Sequence, residues 1–266
     1  MPGIMLERSG IVKNFFRPRK EMLFYTPAPK FALRTGEGKP LTIVLGLRCR
    51  DGLVLCADQL MSIQGSHKYY EEKISLIDGQ GWCIAFGYAG SPLTSKALQK
   101  SIEPKLLSLK DEDVNAQNIR IIVDEALGRM FSKKQYGKFD QLLVAVSGKA
   151  EPPELFELRP PQRNLLPAEN FTCLGVGESP LIRYLGSSVY SRDIDTDLGT
   201  NVGIYLVAKA IEFIEYCGGK TNVLVLRSEG VSEWLADSDI AEQRAWMNFY
   251  EKEYLLKIIE SKQPEY

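Results

Sequence analysis

Histidine is almost absent: the 266 residues contain one, His67. A Ser-His-Asp or Cys-His triad would have to run through that residue, and a multi-histidine metal site is excluded. His67 sits in the polar stretch Gln64-Gly65-Ser66-His67-Lys68, which reads as an exposed loop. Paired cysteines are also missing. Cys49, Cys56, Cys83, Cys173 and Cys217 are odd in number and form no C-x-x-C motif, which argues against a disulfide framework and for a reducing, cytoplasmic setting. No apolar run approaches the roughly 18 residues of a spanning helix, so no membrane partner is expected. No glycine-rich turn has Walker or dinucleotide-binding spacing. Gly218-Gly219-Lys220-Thr221 resembles the end of a Walker motif, but it follows a helical pattern and precedes a strand, and it reads as a helix C-cap. Charge of one sign is lacking too. Thirty-three basic residues face 34 acidic ones, for a net charge of -1, so nothing global calls for nucleic acid. Neither a metal nor a cofactor is expected.

The charge is nevertheless unevenly placed. Residues 1–41 hold eight Lys/Arg against Glu7, Glu21 and Glu37, which makes them +5 and the remaining residues -6. Five of the 14 prolines lie there as well. The segment lacks the apolar core of a secretory signal, and Arg-Pro-Arg and Pro-Ala-Pro interrupt any amphipathic helix. It reads as a basic N-terminal extension or propeptide, followed by a domain over 42–235 and a C-terminal helical segment over 236–266. The basic patch between Lys13 and Lys20 reads as a solvated extension.

After residue 41 the pattern is one of strands. Thr42–Arg50 and Leu53–Ala57 are apolar runs joined by Asp51-Gly52, a tight hairpin signal. A polar and aromatic loop is expected over Gln59–Glu72, then short strands at Ile74–Ile77 and Trp82–Phe86 around Asp78-Gly79-Gln80-Gly81. The period then changes. Leu93, Ala97, Leu98, Ile102 and Leu106 or Leu107 fall three to four apart, as do Ile119, Ile122, Val123, Ala126, Leu127 and Met130, predicting two amphipathic helices. Strands follow at Gln141–Ser147, Leu155–Leu158 and Phe171–Val176, then a helix over Leu198–Tyr216 stopped by Gly218-Gly219. A buried strand at Val223–Leu226 and a last helix over Asp237–Ile259 complete the chain. Trp246, Phe249, Tyr250 and Tyr254 in that helix form a packing face, in the core or at a subunit contact. Segregated strand and helix runs favour antiparallel sheets with helices outside.

The run from Thr42 to Gly90 resembles the proteasome β-type subunits, which are N-terminal-nucleophile hydrolases. The resemblance lies in Thr-Ile-Val-Leu-Gly-Leu-Arg-Cys-Arg-Asp-Gly-Leu-Val-Leu-Cys-Ala-Asp, then Lys73 before a short strand, then Ala85-Phe86-Gly87-Tyr88-Ala89-Gly90. It implies an α+β fold, a four-layer αββα sandwich of two antiparallel sheets flanked by helices, assembled into homo- or hetero-oligomeric rings. It also implies a threonine-type peptidase acting on peptide or protein substrates through Thr42, with Asp58 and Lys73 as polar partners and Gly87 as oxyanion donor through its N–H. By the same resemblance Ser62, Glu71, Ala85 and Ala89 would line the substrate pocket, with some tolerance of a basic side chain. A threonine hydroxyl needs a base, and a neutral α-amine close by can serve. Here that amine exists only if the Leu41–Thr42 bond is cut.

Each residue also has a plainer role open to it. Thr42 can be a β-former opening a strand, Asp58 a turn cap, Lys73 a solvated charge and Gly87 a bulge residue. The family pattern is not complete either. Leu41 stands where active members carry Gly, and Gln59-Leu60 replaces an Arg. Gly175-Val176-Gly177 stands for Gly-Ser-Gly, and Ile214-Glu215-Tyr216-Cys217-Gly218-Gly219 stands for Asp-x-x-Ser-Gly-Gly, with Glu215 one position from the lost Asp. A non-catalytic subunit that keeps its extension and builds or caps a ring is the alternative reading. A small-amide acylase of the same superfamily is a third.

Overall fold

The computed structural model describes residues 42–63, 67–110, 113–132, 140–149, 151–168, 170–175 and 179–261. The basic extension, Leu41 and the Val176-Gly177 pair lie outside the described residues.

Asp51-Gly52 does turn the chain, joining β1 (Ile43–Cys49) to β2 (Gly52–Asp58). β10 (Phe171–Gly175) pairs with the free edge of β1, while β11 (Thr221–Arg227) and β12 (Val231–Trp234) extend the sheet beyond β2, giving the order β10-β1-β2-β11-β12. A second five-stranded sheet has the order β5-β6-β7-β8-β9. Its strands are β5 (Ile74–Gly79), β6 (Trp82–Ala89), β7 (Gln141–Gly148), β8 (Glu154–Leu158) and β9 (Leu166–Pro167). All strand pairs in both sheets are antiparallel.

Side-chain alternation shows that the two sheets face each other. In β2, Leu53, Leu55 and Ala57 join a central core with Cys83, Ala85 and Ala89 of β6, whereas Val54 and Cys56 turn outward to a helical layer. In β6, Ile84, Phe86 and Tyr88 turn outward to the opposite helical layer. A strand covered on both faces needs apolar residues at every position, which is why these segments read as continuous runs. Two glycines let side chains of the facing sheet approach the backbone closely. A Cβ added to Gly46 would lie 2.9 Å from Leu155 Cδ2, and one on Gly87 2.7 Å from Val44 Cγ1.

One outer layer is α1 (Pro92–Leu107) and α2 (Ala116–Ser132); the other is α3 (Pro180–Val189), α4 (Thr196–Phe213) and α5 (Asp237–Ser261). Pro92 and Pro180 each open a helix, where the missing N–H would have no intrahelical partner. Asp195 caps α4, its carboxylate accepting from Leu198 N–H at 2.9 Å. Gly199 and Gly203, one turn apart, bring α4 down onto the sheet: a Cβ there would meet the sulfurs of Cys49 and Cys56 at 2.4 and 2.3 Å. The four-layer sandwich expected from the family pattern is therefore the fold.

Several expectations are corrected. Residues 59–72 are not a plain loop: β3 (Leu60–Ile63) and β4 (His67–Tyr70) form a hairpin, so His67 starts a strand. In α1 the buried face is Thr94, Ser95, Leu98, Ile102 and Leu106, while Leu93, Ala97 and Leu107 are exposed. Hydroxyl residues take the first buried turn there, and apolar spacing alone does not detect them. α3 is a further helix, signalled by Ser179-Pro180, with the Ser179 hydroxyl accepting from Ile182 N–H at 3.4 Å. α4 ends at Phe213, so Gly218-Gly219 belongs to the turn into β11 and is not its cap.

All five cysteines stand outside any disulfide, four of them buried and Cys49 half-buried. Burial, followed by nearby carboxylate charge, pushes the Cys49 and Cys83 thiols up to about 12. A thiol disulfide reagent at pH 8 is therefore expected to label the folded protein slowly and to titrate all five in denaturant. Rapid stoichiometric labelling of the folded state would contradict this packing.

Candidate active site

Thr42 immediately precedes β1, Asp58 ends β2 and Lys73 immediately precedes β5. Pairing of Val44 with Ala57 brings the start of β1 alongside the end of β2, and the facing sheet supplies the lysine. The three side chains meet at one carboxylate oxygen. Thr42 Oγ1 donates to Asp58 Oδ1 at 2.8 Å, and Lys73 Nζ donates to the same oxygen at 2.6 Å. Ile43 N–H adds a third bond to it at 3.1 Å. Asp58 Oδ2 accepts from Leu60 N–H at 3.3 Å and from Gly218 N–H at 3.0 Å.

Five donors thus fix one carboxylate. The Asp58 and Lys73 side chains have no exposed surface. Lys73 also donates to the Leu60 carbonyl at 2.7 Å, so the ammonium is held at two sites. Burial disfavours its charged form and draws its pKa below the ordinary lysine value, an effect the Asp58 charge and hydrogen bond oppose. Lys73 is therefore not a solvated charge at a strand start. Asp58 does act as a turn cap through Leu60 N–H, with the same carboxylate that engages Thr42. Chemically, the arrangement is a hydroxyl held beside a buried ion pair whose positive end can favour a developing alkoxide.

The other expected site residues are placed differently. Gly87 lies inside β6, opposite Ile74 on one side and Leu143 on the other, with no bulge. Tyr88 N–H donates to the Lys73 carbonyl at 3.0 Å. The alternation of an antiparallel ladder therefore turns the Gly87 N–H toward Leu143 and away from the site. Ala85 and Ala89 are wholly buried in the central core. Ser62 lies in β3, and its side chain is outside the described residues. Glu71 follows the β3–β4 hairpin and pairs with Lys96 of α1 at 2.5 Å. Glu215 makes no hydrogen bond to the Thr42–Asp58–Lys73 cluster among the described residues; its loop contributes through Gly218 N–H instead.

Leu60 and Gly218 are site residues that side-chain reasoning passes over, because both act through their backbone. The doubled glycine at 218–219 is their one trace in the sequence. Gln141 is another: its Oε1 accepts from Gly175 N–H at 2.7 Å. Gly175 has φ +69°, and a Cβ there would lie 2.1 Å from the Thr42 carbonyl oxygen, so only glycine fits against the backbone that carries Thr42.

Comparison with known proteins bears on the fold and the family. Solved structures of similar fold include a Gly-1 mutant of Anbu from Hyphomicrobium sp. strain MC1, 16% identical, covering 82% of this chain and 99% of that one with a TM-score of 0.68. Anbu from Yersinia bercovieri, described as an ancestral beta-subunit, is 18% identical over 85% of this chain and 98% of that one, TM-score 0.66. The Anbu complex from Pseudomonas aeruginosa, described as a helical assembly, is 17% identical over 85% and 98%, TM-score 0.67. No curated protein sequence gives a significant match. The sequence model of the family described as "Proteasome subunit" matches residues 41–226, well over half of the chain. The chain, with its two facing antiparallel sheets between helical layers, belongs to the proteasome subunit family.

Proposed function

We propose that this chain is a threonine-type amide hydrolase of proteasome-like kind, cleaving peptide bonds once residues 1–41 are removed. The observation that carries the reading is the buried contact of Thr42 Oγ1 with the Asp58 carboxylate, itself bonded to the Lys73 ammonium. Cutting the Leu41–Thr42 bond frees an α-amine on the nucleophile's own Cα. An α-amino pKa of about 8 leaves enough neutral amine near working pH to take the Oγ1 proton. Oγ1 then bonds to the substrate carbonyl carbon while the carbonyl π pair moves to oxygen. Collapse breaks the C–N bond, and the leaving amine takes the proton. Water, deprotonated by the same amine, hydrolyses the ester and returns the hydroxyl. Lys73 stabilises negative charge on Oγ1 through proximity, and Asp58 holds both groups in register. No oxyanion role is drawn from Gly87, whose N–H faces β7.

The same reading takes the subunit to work in the cytoplasm and to assemble with further copies. The Pseudomonas aeruginosa neighbour's helical assembly and the fold it shares with this chain support the second point. A second reading, a non-catalytic subunit that keeps residues 1–41, is favoured by Leu41 and by the 2% exposure of Thr42 in the full-length chain.

Intact mass with N-terminal sequencing separates them. The expected result is a species beginning at Thr42 in the assembled protein. A full-length mass that persists through assembly would deny the mechanism its base and leave the structural reading.

A further inference from the structure

The Thr42 side chain is fixed from two directions. Its hydroxyl donates to Asp58 Oδ1 at 2.8 Å. Its methyl and its peptide carbonyl lie against Gly175, where a Cβ would stand 3.2 Å from Thr42 Cγ2 and 2.1 Å from the carbonyl oxygen. A β-branched side chain has few χ1 wells open to it. A wall against the methyl therefore also keeps the hydroxyl turned to the carboxylate. That wall has no side chain of its own to hold it in place. Gly175 is the last residue of β10, at the end of its ladder with β1, and its φ of +69° turns the chain out of the strand.

What holds Gly175 comes from the other sheet. Its N–H donates to Gln141 Oε1 at 2.7 Å. Gln141 opens β7, opposite Ala89 of β6. Leu143 and Ala145 of the same strand lie in the central core, and strand alternation gives Gln141 their face, so its amide reaches across the central layer. The start of β7 is itself anchored. The buried Asp140 carboxylate accepts from Ser91 N–H, at the N-terminal cap of α1, at 2.8 Å. Gly90, with φ +137°, lies so near that a Cβ there would meet Asp140 Oδ1 at 2.2 Å. Two consecutive side chains thus tie the β6–α1 turn to β7 and β7 to the segment that backs Thr42.

We infer that Gln141 is a positioning residue for the proposed hydrolysis, holding Thr42 through the Gly175 backbone so that Oγ1 stays on Asp58 beside Lys73. The inference rests on the threonine-hydrolase reading and adds to it a contact from the facing sheet. Without the bond, the turn at Gly175 loses the partner that fixes its N–H, and the Thr42 methyl loses a fixed wall. Methionine has nearly the length of glutamine and no strong acceptor, whereas glutamate keeps an acceptor oxygen at the same reach. Alignment of a nucleophile counts in the transition state and not in the binding of substrate. Its loss therefore lowers kcat and leaves KM in place.

The test expresses the full chain as wild type, Gln141→Met and Gln141→Glu. Each is assayed on a mixed-sequence library of fluorogenic tripeptide amides, with full kinetics on the member that wild type cleaves best. Gln141→Met is expected to lower kcat by a factor between about 5, the bias given by one neutral hydrogen bond, and about 10², the effect of misplacing a reacting group by ~1 Å. KM should stay within about twofold. Gln141→Glu should recover most of the rate. Hydrogen exchange read by mass spectrometry should be faster in the peptide that carries Gly175 in Gln141→Met, and should return toward wild type in Gln141→Glu. A Gln141→Met enzyme with the wild-type kcat would overturn the positioning role and leave the hydrolase reading standing. So would a lowered kcat with unchanged exchange at Gly175, because the effect would not pass through that residue. A wild type that cleaves no member of the library would overturn the hydrolase reading, and the positioning role with it.

Discussion

Replacing Lys73 with methionine is expected to lower the folding free energy by about 3–5 kcal/mol, the usual cost of breaking a buried ion pair by removing one partner. The Asp58 and Lys73 side chains have no exposed surface, and their 2.6 Å contact is the shortest of the five bonds that Asp58 receives. Without the ammonium, Asp58 must hold its charge against four neutral donors in a site closed to water. The Leu60 carbonyl loses its 2.7 Å partner at the same time. For a domain of this size, about 2–4 °C per kcal/mol makes the loss easy to read as a fall in Tm of order 10 °C. Urea unfolding of wild type and Lys73→Met decides it: a loss below about 1 kcal/mol would mean that water reaches the pair. Asp58→Leu/Lys73→Met should recover part of the stability, because it leaves no uncompensated charge.

Thr42→Ala is expected to abolish peptide hydrolysis, by a factor of at least ~10³, while leaving the fold intact. Deleting a nucleophile removes the covalent route altogether, and what survives is the residual rate from binding and dipoles. The hydroxyl contributes one of Asp58's five bonds, so its loss should cost only about 1 kcal/mol in stability. This separation of activity from stability distinguishes a reacting group from a structural one. Full hydrolysis by Thr42→Ala would remove the proposed mechanism.

The pH profile of the processed enzyme carries the same logic. Activity requires a neutral α-amine, so it should rise through about pH 8. It also requires a charged Lys73, so it should fall again as pH passes the lowered lysine pKa, below 10.5. Lys73→Arg, which stays charged, should lose the alkaline limb even where its rate is lower. An unchanged alkaline limb in that variant would assign the fall to another group.

Local chemistry in the chain determined a good deal. Asp51-Gly52 and the apolar runs on either side of it specify the β1–β2 hairpin, since a tight turn and matched runs leave one antiparallel pairing. The Ile119–Met130 spacing specifies the buried face of α2. Thr42, Asp58 and Lys73 were legible as a set because their order and spacing follow the family pattern.

What only the tertiary structure decided is how those residues are surrounded. A lysine before a strand has the same local sequence whether it meets water or a carboxylate, and packing of the second sheet against the first places Lys73 on Asp58. Gly87 has the same local sequence whichever way its N–H points. Its backbone direction depends on ladder alternation, which begins with the bond from Tyr88 to Lys73 and not with any local signal. β3, β4, β9 and β12 are too short to carry a period; β9 and β12 exist because a longer neighbour offers an edge, whereas β3 and β4 pair with each other. Gly218 and Leu60 contribute backbone groups, which every residue has, so no side-chain pattern marks them. The exposed rings of α5 were visible as a packing face in the sequence. That they face outward follows from Ile240 and Met247 having taken the inward side against α4. Sequence chose the chemistry of the site, and long-range packing set its burial, its partners and the direction of its donors.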